Sequence, residues 1–303
     1  MKFPSPSSAE AVIAVSELSR RFGEKVALDN VSIYVPKGTV FGLIGENGAG
    51  KTTLIKHILG LLAAESGTVR VFGSDPTSDA VRVLGRIGYL SEQPDIPGWM
   101  QVQELIRYMK AFYPAWDSGY AAALLGEFGL NPAQRISTLS KGQTAKAGLL
   151  VAQAHRPELL LLDEPSSGLD PMVRREILEA VIRTVADEGR TVFFSSHFLD
   201  EIERVSDHVA MLHQGKLIFC GSLDDIKGRH RVVSLRFKQN QTKPPEIQGA
   251  LVMAGNGRDW TYLNEGLSDK WSSLILQRGG QILEEHSPTL HEIFVAYAGT
   301  NGA

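Results

Sequence analysis

A single cysteine, Cys220, stands in a chain of 303 residues. One thiol cannot close an intrachain disulfide, so the chain must hold itself together by packing, and a reducing compartment suits it best. Cys220 itself reads as a small apolar residue near a strand end rather than a reactive group. Long hydrophobic runs are missing as well. A membrane-spanning helix needs about 20 mostly apolar residues, whereas Leu159–Leu162 stops at Asp163 and Val192–Phe194 is bounded by polar neighbours. Residues 1–10 carry Pro4, Pro6 and three serines without the apolar stretch of a secretion signal, and are expected to form a loose tail. An excess of one charge is also lacking. The 31 basic and 34 acidic side chains leave a net −3, with no basic stripe, so neither nucleic acid nor an anionic membrane surface is an expected partner.

What remains is ordinary in amount, with 43% hydrophobic and 21% charged residues. That is enough to bury the core of one large domain with an appendage, or of two smaller domains. The order of patterns is more informative. Val40–Ile44 is a short apolar run leading into a glycine-rich segment, as in a buried parallel strand. A helical pattern follows, with Leu54, Ile58, Leu61 and Leu62 on one face. Further buried strands are predicted at Ile87–Leu90, Leu159–Leu162 and Thr191–Ser195. Between the second and third of these four strands, from about residue 94 to 154, the apolar spacing turns helical: Val102, Leu105, Ile106 and Met109, then Leu124, Leu125 and Phe128. The expectation is an α/β core interrupted by an all-helical insertion.

After Gly228 the pattern changes again. Val233, Leu235 and Phe237 alternate with polar residues, as on a half-buried strand. Thr289 and Glu292 have capping-box spacing, and Leu290, Ile293, Phe294 and Tyr297 line one face of the helix they would start. The predicted division is thus a tail at 1–10, a main domain at 11–228 and a small α/β accessory unit at 229–303, to which no chemistry attaches.

Chemistry gathers at two places. Gly45-Glu46-Asn47-Gly48-Ala49-Gly50-Lys51-Thr52 fits G-x-x-x-x-G-K-[ST] in full. Such a loop wraps phosphates with backbone N–H groups, which only glycines let approach closely, and the following helix adds its positive end. Lys51 would reach the β- and γ-phosphates, and the Thr52 hydroxyl would bind Mg²⁺. The second place is Asp163-Glu164, two carboxylates ending an apolar strand. Alternation along the strand sends them to different sides. Asp163 can then support the Mg²⁺ shell while Glu164 faces the water that attacks the γ-phosphate.

Six motifs in one order carry a family resemblance over about residues 12–227: the phosphate loop, Gln93 after a strand, Leu139-Ser140-Lys141-Gly142-Gln143, Asp163-Glu164, Ser167-Gly168-Leu169-Asp170, and His197 after Ser195-Ser196. The chain resembles the ATP-binding subunits of ABC transporters. The resemblance implies a P-loop NTPase core with an N-terminal antiparallel β subdomain, the helical insertion and the accessory unit. It implies ATP and Mg²⁺ as ligands and ATP hydrolysis as the activity. Residue by residue, Gln93 resembles the glutamine that meets Mg²⁺ and the attacking water. Ser140 and Gly142, with Gln143, resemble the signature that contacts the γ-phosphate held by the opposite subunit. Asp170 looks like the residue of the dimer seam, and His197 like the switch histidine at the γ-phosphate. Phe22 sits where the family stacks a ring on adenine, and Thr53 extends the phosphate loop. Phe22 replaces the commoner tyrosine and keeps the π-face. Lys141 replaces a glycine, and is read either as a solvated charge or as an extra cation beside the partner's nucleotide.

The implied assembly is a head-to-tail homodimer, or a heterodimer with a similar ATPase, around two ATP molecules. It would act on an integral-membrane permease from the cytoplasmic face, with Ile96, Trp99 and Met100 walling the docking groove. The accessory unit and Phe112–Asp117 resemble export-type ATPases with a separate permease. Cargo is not legible here, because the permease selects it. The rival is a soluble ATPase of the same family acting on nucleic acid or ribosomes; such relatives carry two cassettes or a long coiled-coil insertion, and this chain has one phosphate loop and no basic stripe. A P-loop kinase or GTPase would leave Ser140–Gln143 without a role.

Overall fold

The computed structural model describes residues 11–186, 189–265, 271, 275–276 and 278–300. The chain divides into two compact units, residues 1–220 and 221–303. The first unit opens on β1 (Ala11–Phe22) and β2 (Lys25–Pro36), which pair antiparallel, with β4 (Ser66–Val71) on the other side of β1. Their alternating apolar residues, among them Ile13, Val15, Ile33, Val35 and Val71, are fully buried. They share one core with Leu54, Ile55 and Ile58 of helix α1 (Lys51–Ile58).

The second sheet has six strands in the order β5-β6-β7-β3-β8-β9: β3 (Val40–Ile44), β5 (Ile87–Leu90), β6 (Leu159–Asp163), β7 (Thr191–Ser196), β8 (His208–His213) and β9 (Lys216–Ser222). The first five of these in sheet order are parallel. Leu159 to Leu162 show no exposed surface at all, which is why that strand reads as an unbroken apolar run rather than an alternating one. Register pairs Ile44 with Ser196, Asp163 with Ser195, and Leu90 with Leu162. The carboxyl ends of four strands therefore finish together, at the edge where ligands bind in open α/β sheets.

Helix α1 ends sooner than its apolar spacing suggests. Gly60 takes a φ of +71°, which ends the helix, and Leu61 is 63% exposed. Short α2 (Ala80–Leu84) precedes β5. The helical stretch then holds α3 (Val102–Lys110), α4 (Ser118–Glu127) and α5 (Lys141–Gln153). Each start is capped by its own sequence: Gln101 with Glu104, Asp117 accepting from the Tyr120 N–H at 2.9 Å, and Ser140 with Gln143. Two helices flank β7: α6 (Pro171–Ala186) before it and α7 (Leu199–Val205) after it.

In the second unit, β10 (His230–Gln241) lies between β11 (Ala250–Glu265) and β12 (Gly280–His286), antiparallel to both. Val233, Leu235 and Phe237 face its core, packed with Trp260 and Tyr262. Helix α9 (Leu290–Thr300) starts on the Thr289–Glu292 capping box, whose two backbone-to-side-chain bonds measure 3.2 and 2.8 Å. Helix α8 (Leu223–Arg229) also belongs to this unit. The division falls after Cys220, eight residues before the boundary expected at Gly228. The change of hydrophobic pattern marked the first strand of the unit, not the short capped helix ahead of it.

Candidate functional site

Strand β3 ends at Ile44 and hands the chain to residues 45–52, which turn directly into α1. Gly50 is the N-cap of α1 and holds a φ of +110° with the Ala27 carbonyl oxygen 2.5 Å from where a Cβ would stand. Only glycine meets both demands. The loop rims a cavity of 360 Å³, to which Glu46, Asn47, Gly48, Gly50, Lys51, Thr52 and Thr53 contribute, with Phe22, Lys25, Ala27, Glu92 and Glu164 opposite. Gly45 and buried Ala49 do not line it. Phe22 is half exposed at the rim, with the Arg20 guanidinium 4.9 Å from its ring centre.

Lys51 is 5% exposed, and its ammonium is held from three sides. It donates to the carbonyl oxygens of Gly45 at 2.6 Å and Glu46 at 3.2 Å, and pairs with Glu164 Oε1 at 2.9 Å. The other Glu164 oxygen lies 2.7 Å from His197 Nδ1. One carboxylate thus touches the loop lysine and the histidine after β7. Glu164 stands one residue beyond β6 with a φ of +50°, the left-handed conformation that turns its side chain out of the strand's alternation. The Ser195 hydroxyl fixes this corner: it donates to Asp163 at 2.7 Å and accepts the Glu164 N–H at 2.9 Å. Asp163 is also hydrogen-bonded to Thr52. Burial raises the Asp163 carboxyl above its ordinary pKa, while those two hydroxyls pull it back. Burial, helped by the charge of Asp163, pushes the Tyr89 phenol up to about 12.

Gln93 was expected at Mg²⁺ and the attacking water; Glu92 lines the cavity and Gln93 does not. The reason is register. Leu90 sits level with Leu162, so the chain two residues on, at Glu92, comes level with Glu164. Gln93 enters instead a second cleft of 230 Å³ with Pro94, Lys141, Thr144, Pro165 and Leu169. Glu92 accepts a hydrogen bond from the Ser167 hydroxyl at 3.3 Å. Counting levels across neighbouring parallel strands would have found it; searching for a glutamine did not.

The signature residues do not line the phosphate-loop cavity of their own chain. Ser140, Gly142, Gln143 and Asp170 line none of the 360 Å³ cavity. Ser140 caps α5, accepting the Gln143 N–H at 3.2 Å while Gln143 Oε1 accepts the Ser140 N–H at 2.9 Å. Gly142 packs on Val173, where a Cβ would come within 2.9 Å of a methyl. Asp170 caps α6 by accepting the Met172 and Val173 N–H groups, both at 3.1 Å. Lys141 is exposed and lies over Gly168.

A glycine loop after one parallel strand, facing a carboxylate pair at the end of a strand two places away, is the arrangement of the P-loop NTPases, and this chain is one of them. The ABC transporter family model matches residues 28–167. The bacitracin transport ATP-binding protein BcrA of Enterococcus faecalis is 33% identical over 224 residues, 73% of each chain. The daunorubicin resistance ATP-binding protein of Streptomyces coeruleorubidus is 30% identical, over 96% of this chain and 97% of that one. A solved ATP-binding subunit of an ABC transporter matches with a TM-score of 0.66 at 31% identity, covering 72% of this chain and 92% of the other. The chain therefore belongs to the ABC transporter family, as one of its ATP-binding cassettes, which hydrolyse ATP to drive transport. Among the described residues, no helix is long and apolar enough to cross a membrane.

Proposed function

We propose that the chain binds ATP on residues 45–53 and hydrolyses it with Glu164 as general base. The observation that carries this reading is the Glu164 carboxylate held between Lys51 at 2.9 Å and His197 at 2.7 Å. Phosphate binding would exchange the Lys51–Glu164 contact for a Lys51–phosphate contact, freeing a carboxylate oxygen to take a proton from water. His197 would then hold both that carboxylate and the γ-phosphate. Phe22, at the cavity rim, offers its ring face to the base. The Thr52 hydroxyl and the Asp163 carboxylate are hard oxygen donors in mutual contact, a set that suits Mg²⁺, which takes one or two protein oxygens beside phosphates and water. When bound there, the ion would neutralise charge developing on the phosphates.

The signature residues, absent from the lining of their own chain's cavity, fit a head-to-tail dimer in which each completes the other's site, whether the partner is a second copy or a similar ATPase. The motion would be passed to a separate integral-membrane permease at the cytoplasmic face of the cell membrane. Trp99 is 69% exposed and suits such docking, whereas Met100, expected beside it, is buried at 7% and belongs to the core. Relatives named for bacitracin transport and daunorubicin resistance favour export.

Two substitutions test the catalytic assignment. Glu164→Gln should keep ATP affinity and lose turnover by about 10²- to 10⁴-fold, whereas Lys51→Ala should lose affinity itself. Wild-type hydrolysis by Glu164→Gln, or unchanged nucleotide affinity in Lys51→Ala by titration calorimetry, would sink the assignment.

A further inference from the structure

A buried carboxylate that this mechanism does not use lies directly behind it. Glu201, in the first turn of α7, is 5% exposed. Its Oε2 accepts hydrogen bonds from the Ser166 hydroxyl at 2.7 Å and the Ser196 hydroxyl at 3.1 Å. Its Oε1 pairs with Arg174 Nε at 3.1 Å. Each partner belongs to a different part of the site. Ser166 stands two residues after Glu164. Ser196 and Phe198 flank His197, and the Ser196 hydroxyl also accepts the Phe198 N–H at 3.0 Å, which clips the backbone on either side of the histidine. Arg174 lies in the first turn of α6; its N–H bonds to the Asp170 carbonyl at 3.0 Å, and its guanidinium lies 3.9 Å from the Phe198 ring.

An ionised carboxylate out of water is costly unless donors and opposite charge surround it, and here two hydroxyls donate to it while the Arg174 guanidinium supplies the charge. Burial raises the Glu201 carboxyl pKa, and the two hydroxyls and Arg174 act against that rise. The energetic need to satisfy one charge therefore pins together the loop after Glu164, the loop of His197 and the first turn of α6, next to Asp170.

We propose that Glu201 is a positioning residue for ATP hydrolysis: it fixes His197 against Glu164, and couples both to the α6 start at Asp170. It is buried among protein partners and acts through His197. The proposal rests on the reading of His197 and Glu164 given above.

The test is a double-mutant comparison on the full chain, with ATP turnover and melting temperature read together. Glu201→Gln keeps the side-chain shape but withdraws the charge from Arg174. A misplaced reacting group costs up to about 100-fold, so kcat should fall about 10- to 100-fold while KM for ATP stays within about twofold. In a His197→Ala background, the same substitution should lower kcat by less than about twofold further, because the residue it positions is gone. Ser196→Ala, which removes one hydroxyl only, should give a smaller kcat loss and serves if Glu201→Gln does not fold. Wild-type kcat in both variants, or an equal fold-loss with and without His197, overturns the proposal. His197→Ala turning over at the wild-type rate would instead overturn the site reading beneath it.

Discussion

His155 sits just past α5, 3% exposed, with its ring stacked 3.8 Å from that of Tyr113. Its Nε2 lies 3.1 Å from the Ile87 carbonyl oxygen, and since a carbonyl only accepts, this nitrogen carries the proton of the neutral ring. Burial drives the pKa down to about 4 from the ordinary 6.5. A lowered pKa means that the folded state prefers the neutral ring. The stabilisation is complete above pH 6.5, is lost as pH falls from 6.5 toward 4, and changes no further below that. Denaturation at about pH 6.5 and about pH 5 should show the wild type losing about 1.5 kcal/mol more than His155→Gln, because the unfolded ring, half protonated at the upper pH, fills over that range while the folded ring stays neutral. Equal losses in the two proteins would mean that the ring titrates normally. At this scale the sequence was readable where a residue type is chemically forced, as with Lys51 and Gly50. It did not single out Glu92, which lines the cavity, because a glutamate two residues past β5 looks like any surface charge. Glu201 gave no signal of its own; of its partners, Ser196 is five residues away, but Ser166 and Arg174 come from the far side of β7.

Helix α5 shows how small residues decide where an element can lie. Buried Ala145, Ala147, Gly148 and Ala152 let it lie close against β5, where a Cβ on Gly88 would run into the Ala152 carbonyl oxygen and the Pro157 ring. Gly88→Ala must push strand and helix apart, an overpacking cost of typically about 1–3 kcal/mol. Calorimetry should find the melting temperature down by roughly 2–12 °C. Gly126, near the end of α4, would place an added methyl in open space, with no described atom within 4 Å, so Gly126→Ala should raise stability by about 0.4–1 kcal/mol through the unfolded chain alone. If Gly88→Ala proves neutral, the close approach of α5 to β5 is wrong. Helix α9 was legible because its capping residues, Thr289 and Glu292, are three apart in sequence. The end of α1 was not, since apolar spacing ran on through Leu61 and only the φ of Gly60 stopped it. Nor was the register of β11 and β12 against β10, which depends on partners tens of residues away.

For the whole molecule the question is whether one chain contains a complete site. The cavity holds the phosphate loop, Glu92 and Glu164, while Ser140 and Gly142 open α5 elsewhere on the same unit. If a second chain supplies the signature, damage to the two halves should complement. Lys51→Ala breaks the loop half, and Ser140→Arg places a large side chain on the signature half. Ser140→Arg also forfeits an N-cap worth about 1 kcal/mol, so its melting temperature must be checked before its activity is judged. Each purified variant alone has two broken sites and should be nearly inactive. Mixed in equal amounts and allowed to exchange, half of the dimers are mixed, and each of these has one site with both halves intact. Independent sites would then return about a quarter of wild-type turnover, from one half of the dimers with one half of the sites. Partial coupling of the two sites would return less, and coupling that demands two working sites would return none. Normal hydrolysis by Ser140→Arg on its own would mean that each chain completes its own site. No recovery in a mixture shown by size to contain mixed dimers, in a protein whose dimer still hydrolyses ATP with one site damaged, would mean that the halves are not shared.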